Sequence, residues 1–239
     1  MQAVTDPLRF DLAQTTVRAL NQALHAPADT LAGAHVEVLN TDGAHNLAVG
    51  LNAPVHVTLK GHAGYYAAGM NQHATVVVEG SASTGVAENM MSGRVQVKGF
   101  ASNGAGASAH GGLLVIEGDA GLRCGISLKG GDIVVGGSVG SFSGFMAQAG
   151  RMVICGNAGD ALGDSLYEAV IYVKGHIASL GADARLEPMT EADVTTVAAL
   201  LSQAGLPPGA DGPHEAGDFK RVASARGLYH WNVEANQDY

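Results

Sequence analysis

Histidine is the side chain whose ordinary pKa best suits acid–base work and metal ligation near neutral pH, and this chain of 239 residues carries ten. Cys124 and Cys155 add two softer donors. Neither set converges. No H-E-x-x-H helix motif brings two histidines to one metal, and two thiols build neither a disulfide framework nor a four-thiolate site. Nucleophile patterns are missing too. There is no G-x-S-x-G elbow and no phosphate-cradling P-loop, and the residue after Met1 is Gln2, not a cysteine that could act as an amino-terminal nucleophile. Stretches such as Gly104 to Gly106 match G-x-G, but in a chain with 34 glycines they say nothing about a dinucleotide. No catalytic, cofactor-binding or metal-binding residue is assigned.

Charge narrows the partners. Thirteen Lys and Arg against 22 Asp and Glu leave a net charge of −9, which opposes an electrostatic grip on nucleic acid or anionic membranes. Residues 1–10 lack a basic start followed by an apolar core, and no apolar run is long enough to span a bilayer, so the expected location is cytoplasmic. An apolar fraction of 46% with 15% charged residues excludes wholesale disorder.

Glycine supplies the organising signal. Seven short aliphatic segments end in glycine at Gly61, Gly80, Gly99, Gly118, Gly137, Gly156 and Gly175, at one constant interval of nineteen positions. Two and four residues before each closing glycine stand only aliphatic side chains, from Val57 and Leu59 to Ile171 and Val173. A spacing of two puts each pair on one face of a strand. Two residues after each glycine the position is small and apolar: Ala63, Ala82, Ala101, Ala120, Val139, Ala158 and Ile177.

Short strands at a fixed 19-residue period with no helix between them predict an all-β core. Its form is a right-handed, single-stranded parallel β-helix of about seven coils. The left-handed hexapeptide alternative wants an aliphatic residue nine after each glycine, where Met70, Asn89, Ser108, Ser127, Met146 and Ser165 stand instead. On this ruler His62 and His176 share a position six coils apart, about 29 Å. His73 and His110 lie at adjacent corner positions two coils apart with no third ligand. Just before the closing glycines, Lys60, Glu79, Lys98 and Glu117 alternate in sign, a ladder that pins register.

The flanks differ. Residues 1–34 form an N-terminal cap, with a helix expected from Leu12 to His25, capped by Asp11 and ended by Pro27. Residues 35–182 form the solenoid. Residues 183–206 hold a second helix, from Thr190 through Val194, Val197, Leu200 and Leu201 to the stop at Gly205. Residues 207–239 form a Pro- and Gly-rich linker and an extended tail. There Phe219, Lys220, Arg221, Arg226, Tyr229, Trp231 and Tyr239 make a docking arm onto another subunit slightly favoured over a segment folded back on its own solenoid.

The motif G-x-x-G-x(3)-G, clearest at Gly118 to Gly125, Gly137 to Gly144 and Gly156 to Gly163, resembles the carboxy-terminal GXGXG β-helix of the glutamate synthase large subunit. The resemblance covers residues 35–182. Among free-standing relatives, the helix before the coils, the Gly43 to Gly50 segment and the closing tail are most similar to the β-helix subunit of N-methylglutamate synthase. The resemblance implies a scaffold with no catalytic residue of its own, in a hetero-oligomer that makes N-methylglutamate and ammonia from methylamine and glutamate. It implies two partners: a flavin-binding glutamate synthase-like subunit holding FMN, often with an iron–sulfur cluster, and a class II glutamine amidotransferase-like subunit. Similar subunits in other glutamate-synthase-like complexes, and in formylmethanofuran dehydrogenase and formyltransferase/hydrolase complexes, form the alternative.

Overall fold

Aliphatic pairs that recur at the period of the closing glycines bury themselves only by stacking, each coil on the next. The computed structural model describes residues 7–206 and 214–226. Its stack consists of β1 (Leu8–Asp11), β2 (His35–Leu39), β3 (His56–Leu59), β4 (Thr75–Val78), β5 (Arg94–Val97), β6 (Leu113–Ile116), β7 (Lys129–Val135), β8 (Ala149–Ile154) and β9 (Val170–Val173), all parallel. The inward residues pair along one column: Val57 with Val76, then Val95, Leu114, Ile133, Met152 and Ile171. Each is at most 1% exposed. The step from Val36 to Val57 is longer than the repeat, so the first coil is the irregular one. A second line of bridges joins the small corner residues from Ala63 to Ile177.

Two features explain the period. A Cβ added to Gly118 would stand 2.9 Å from the Gly99 carbonyl oxygen, closer than real Cβ atoms come, so the closing glycines are required by coil-on-coil approach. The opposite corner turns on left-handed residues five, seven and nine positions after each closing glycine except the last, Gly175. Phe142, Gly144 and Met146 show it in one coil, with φ of 58°, 69° and 53°. The backbone amides at these positions bond to neighbouring coils, as in Phe142 N–H to Asp160 O at 2.8 Å and Gly144 N–H to Cys124 O at 2.8 Å. The residues nine after each glycine thus serve a turn, which is why they are not the aliphatic row of a hexapeptide helix.

Both ends depart from expectation. The first helix, α1 (Val17–Leu24), starts later than expected and is capped by Thr16, whose Oγ1 accepts from Ala19 N–H at 3.1 Å. Asp11 belongs to β1 instead, because Leu8–Asp11 gains a parallel partner in Val36–Leu39. Its carboxylate accepts from Asn40 Nδ2 at 2.7 Å and Ala13 N–H at 2.9 Å. Pro27 opens a single turn, α2 (Ala28–Leu31). Leu20 and Leu24 of α1 plug the first coil, and Asn21 and His25 bond to the carbonyls of Asn46 and Val49 at 2.7 and 2.8 Å.

The second helix matches expectation. It is α3 (Glu191–Ala204), opened by a Thr190/Asp193 capping box and ended by Gly205 in the left-handed conformation. After the last coil come β10 (Ala184–Glu187) and β11 (Lys220–Ser224). The second of these lies antiparallel between β9 and β10. Phe219 to Ser224 therefore fold back on their own solenoid, the reading that the sequence placed second, because the open edge of β9 supplies a hydrogen-bonding template. Residues 207–213 of the linker, and Tyr229, Trp231 and Tyr239 of the tail, lie outside the described residues. No described helix is long and apolar enough to cross a membrane.

Candidate functional site

The outward face of the sheet is built in two halves. Three residues before each closing glycine the chain reads Thr58, Val77, Gln96, then Val115, Val134, Val153 and Tyr172. From Val115 onward the position is buried, under Val197, Leu200 and Ala204 of α3 and under Phe219. The helix is 14 residues long. At 1.5 Å per residue that is about 21 Å, the length of four strand spacings. It runs along the stack from Tyr172 at its start to Arg94 at its end, where the guanidinium donates to the carbonyls of Gln203 and Ala204 at 2.9 and 3.1 Å. That cation stands at the negative end of the helix dipole.

A polar latch holds the other end of α3. The Asp193 carboxylate accepts from Tyr172 Oη at 2.7 Å, from Thr190 Oγ1 at 2.6 Å and from Arg221 Nε at 3.2 Å, and Arg221 also pairs with Glu187. Burial pushes the Asp193 carboxyl up, but donation from the Thr190 and Tyr172 hydroxyls and the Thr190 amide outweighs it, leaving it below the ordinary range. Burial first, and then Asp193, push the Tyr172 phenol well up. Beside the latch a cleft of about 440 Å³ is lined by Tyr167, Glu187, Arg221 and Ser224 among others. Within it Arg221 pairs with Glu187 and Asp193, so the arrangement fastens α3 and β11 to the last coil.

Among the described residues no three His, Cys, Asp or Glu side chains are grouped to hold a metal ion. Both cysteines are free and buried, and desolvation pushes their thiols up to about 12. Two thiols are too few for a four-thiolate iron–sulfur cluster. Several histidines make local contacts. His62 Nδ1 accepts from Ser81 N–H at 2.9 Å, and the ring of His35 stacks on His56 at 5.2 Å. The first of these belongs to a ladder that sequence reasoning missed. In the position after each closing glycine, the side chains of Ser81, Asp119, Ser138 and Asn157 likewise accept the amide of the same position in the next coil, at 2.7–3.2 Å.

The expected charge ladder forms in part. Lys60 and Lys98 approach Glu79 at 3.2 and 3.6 Å, while Glu117 accepts from Gln96 Nε2 at 2.7 Å.

One exposed patch is apolar. At the left-handed corner, Leu122, Phe142 and Met146 are 49%, 41% and 38% exposed, and Ile126 and Phe145 are half-buried beside them. The rings of Phe142 and Phe145 meet edge to face at 6.2 Å. Adjacent coils are joined beneath them by Arg123 N–H to Ser141 O and Ser127 N–H to Phe145 O at 3.0 and 2.7 Å.

No protein-family model matches the chain. Protein GlxC of Rhizobium meliloti (strain 1021) is 49% identical over 230 residues, an alignment that covers 96% of this chain and 99% of that protein.

Proposed function

Because the chain belongs to the family of Protein GlxC, we propose that it is the β-helix subunit of a glutamate-synthase-like enzyme, bracing catalytic partners without contributing a catalytic residue. The observation that carries this reading is the uninterrupted stack of glycine-closed coils, held in constant register from Val57 to Ile171. It is the pattern on which the resemblance to the glutamate synthase β-helix rests. Such a rod presents surfaces at fixed spacing, which suits a brace between two catalytic subunits.

The finer reading is N-methylglutamate synthase, with FMN in a flavin-binding partner and amide chemistry in an amidotransferase-like one. The chain would be tagged, expressed from its own operon and purified gently, with mass spectrometry and a visible spectrum recorded on the same sample. A yellow complex holding a flavoprotein and an amidotransferase-like chain, forming N-methylglutamate from methylamine and glutamate, is the expected result. Partners of a formyl-transfer complex would replace the reading, and a colourless chain purifying alone would remove it.

A further inference from the structure

Two histidines in matching positions of neighbouring coils meet on the uncovered part of the outer sheet face. His35 of β2 and His56 of β3 are register partners, and the residues that follow them, Val36 and Val57, point inward, so both imidazoles stand outward. Their ring centroids are 5.2 Å apart, with the planes tilted by 32°. Among the described residues no other two histidine rings meet, and neither of these rings makes a hydrogen bond. His25, His45 and His62 differ, because each commits a ring nitrogen to a backbone group. Two imidazoles on adjacent rungs repel each other when both carry protons, so their contact needs something between them to be favourable. No nearby side chain supplies it. Glu37, next on the same face of β2, is taken by Arg9 and Lys60 at 3.0 and 3.6 Å. Further along the column, Thr75 is uncharged and Arg94 is drawn away to the carbonyls of Gln203 and Ala204.

We infer that His35 and His56 form a two-histidine site for a late first-row divalent cation, with Cu²⁺ held more tightly than Ni²⁺ or Zn²⁺. Each neutral imidazole offers one nitrogen lone pair. Metal–nitrogen bonds of about 2.0–2.1 Å place two ligating nitrogens about 3 Å apart, which rings on adjacent rungs reach by swinging their edges together. Water fills the other positions. Imidazole selects this class of metal over Mg²⁺ and Ca²⁺, which want carboxylates, and the order among its members follows their general affinity for nitrogen ligands. The bridged rungs join the irregular first coil to the regular stack, across the one step that exceeds the repeat. A bound ion would staple that join, whichever complex the chain belongs to.

The test uses the full chain without a polyhistidine tag, stripped with EDTA, dialysed and titrated with CuCl₂, NiCl₂ and ZnCl₂ in turn. Calorimetry should show one Cu²⁺ bound per chain at micromolar concentration, with weaker binding of the other two ions. Electron paramagnetic resonance of the Cu²⁺ form should show two nitrogen donors, and the melting temperature should rise by a few degrees. His35→Gln and His56→Gln should each weaken binding about tenfold or more and reduce the donors to one nitrogen, whereas His176→Gln, on an exposed histidine at the far end of the rod, should change neither. The nitrogen count is read on folded protein, so it decides the matter even where a variant melts earlier in EDTA. Two-nitrogen binding that survives in the His35→Gln/His56→Gln double variant overturns the inference, as does a wild-type chain that takes up no Cu²⁺ at micromolar concentration.

Discussion

The two halves of the outer sheet face start from one template and end differently. In β3 to β5 the middle outward residues are Thr58, Val77 and Gln96, half-buried and facing no helix. In β6 to β9 they are Val115, Val134, Val153 and Tyr172, all buried beneath α3 and Phe219. Inside the coils nothing changes at this boundary, and the inward pairs continue in register. A solenoid wall thus acquires a second hydrophobic layer from a change in one column of side chains, with no change in backbone. The covered half is fixed at both ends, by Arg94 on the last carbonyls of α3 and by Asp193 in the latch.

The sharpest way to break this contrast is one substitution made at the same column position in each half. Val134→Asp puts a carboxylate with no partner under α3, at a site with 0% exposure, and should cost more than about 4 kcal/mol. Val77→Asp, on the open half, should stay within about 1 kcal/mol. Chemical denaturation of the two variants checks this, and comparable losses would mean that α3 does not form the second layer.

Next in size is the latch. Asp193→Ala removes the acceptor shared by Tyr172, Thr190 and Arg221 and should cost about 2 to 3 kcal/mol. Hydrogen exchange should show the loss in α3 and β11 and leave β3 and β4 protected. Opening that spreads evenly along the stack would show that the halves are not separable.

The interior was legible in sequence because every rung repeats at one interval, and any inserted residue would have shown as a break in it. The switch at Val115 was legible in the same columns, but it becomes visible only when the outward row is read as carefully as the inward one. Other elements lacked such a signal. Leu8–Asp11 has no closing glycine, and its partner β2 follows only after α1 and α2, so an Asp before an amphipathic run read as a helix cap. Lys220–Ser224 carries two basic residues and becomes a strand only because β9 offers an open edge. The left-handed corner was present as Met70, Asn89, Ser108, Ser127, Met146 and Ser165, a row whose common property is backbone conformation, which side-chain type only hints at.

Acid should separate the halves more gently. The Asp193 carboxyl lies below its ordinary range in the fold, so its contribution is complete above the unfolded value of about 4 and is lost as pH falls. Burial, and then the neighbouring His35, hold His56 below its ordinary value, so the fold's preference for the neutral ring is lost as pH falls from about 6.5. Glu37, on the strand that carries His35, is held low by Arg9, against burial, with Lys60 helping. His214, next to the covered half, is lowered by burial and then by Lys174, and adds a step of its own there. Exchange protection of β2 and β3 should therefore weaken at mildly acidic pH in the native chain and lose that step in His56→Gln, while α3 keeps its response. Loss of both responses in His56→Gln would tie the halves together.

The smallest expected effect concerns the ladder on the open half. Lys98 is 3.6 Å from Glu79, and both side chains are well exposed, so their attraction is screened by water and salt. Glu79 keeps Lys60 at 3.2 Å when Lys98 is removed. Lys98→Ala should therefore shift stability by less than about 0.5 kcal/mol, in low or high salt. In the covered half Arg151 holds Asp132 with two bonds, at 2.6 and 2.8 Å, and the carboxylate is the less exposed partner. Arg151→Ala should cost more than Lys98→Ala, by up to about 1 kcal/mol, with part of the excess disappearing in high salt. If the order were reversed, the outward charges would be holding the open half together in the way that α3 holds the other, and the contrast between a single and a double wall would fail at its weakest rung.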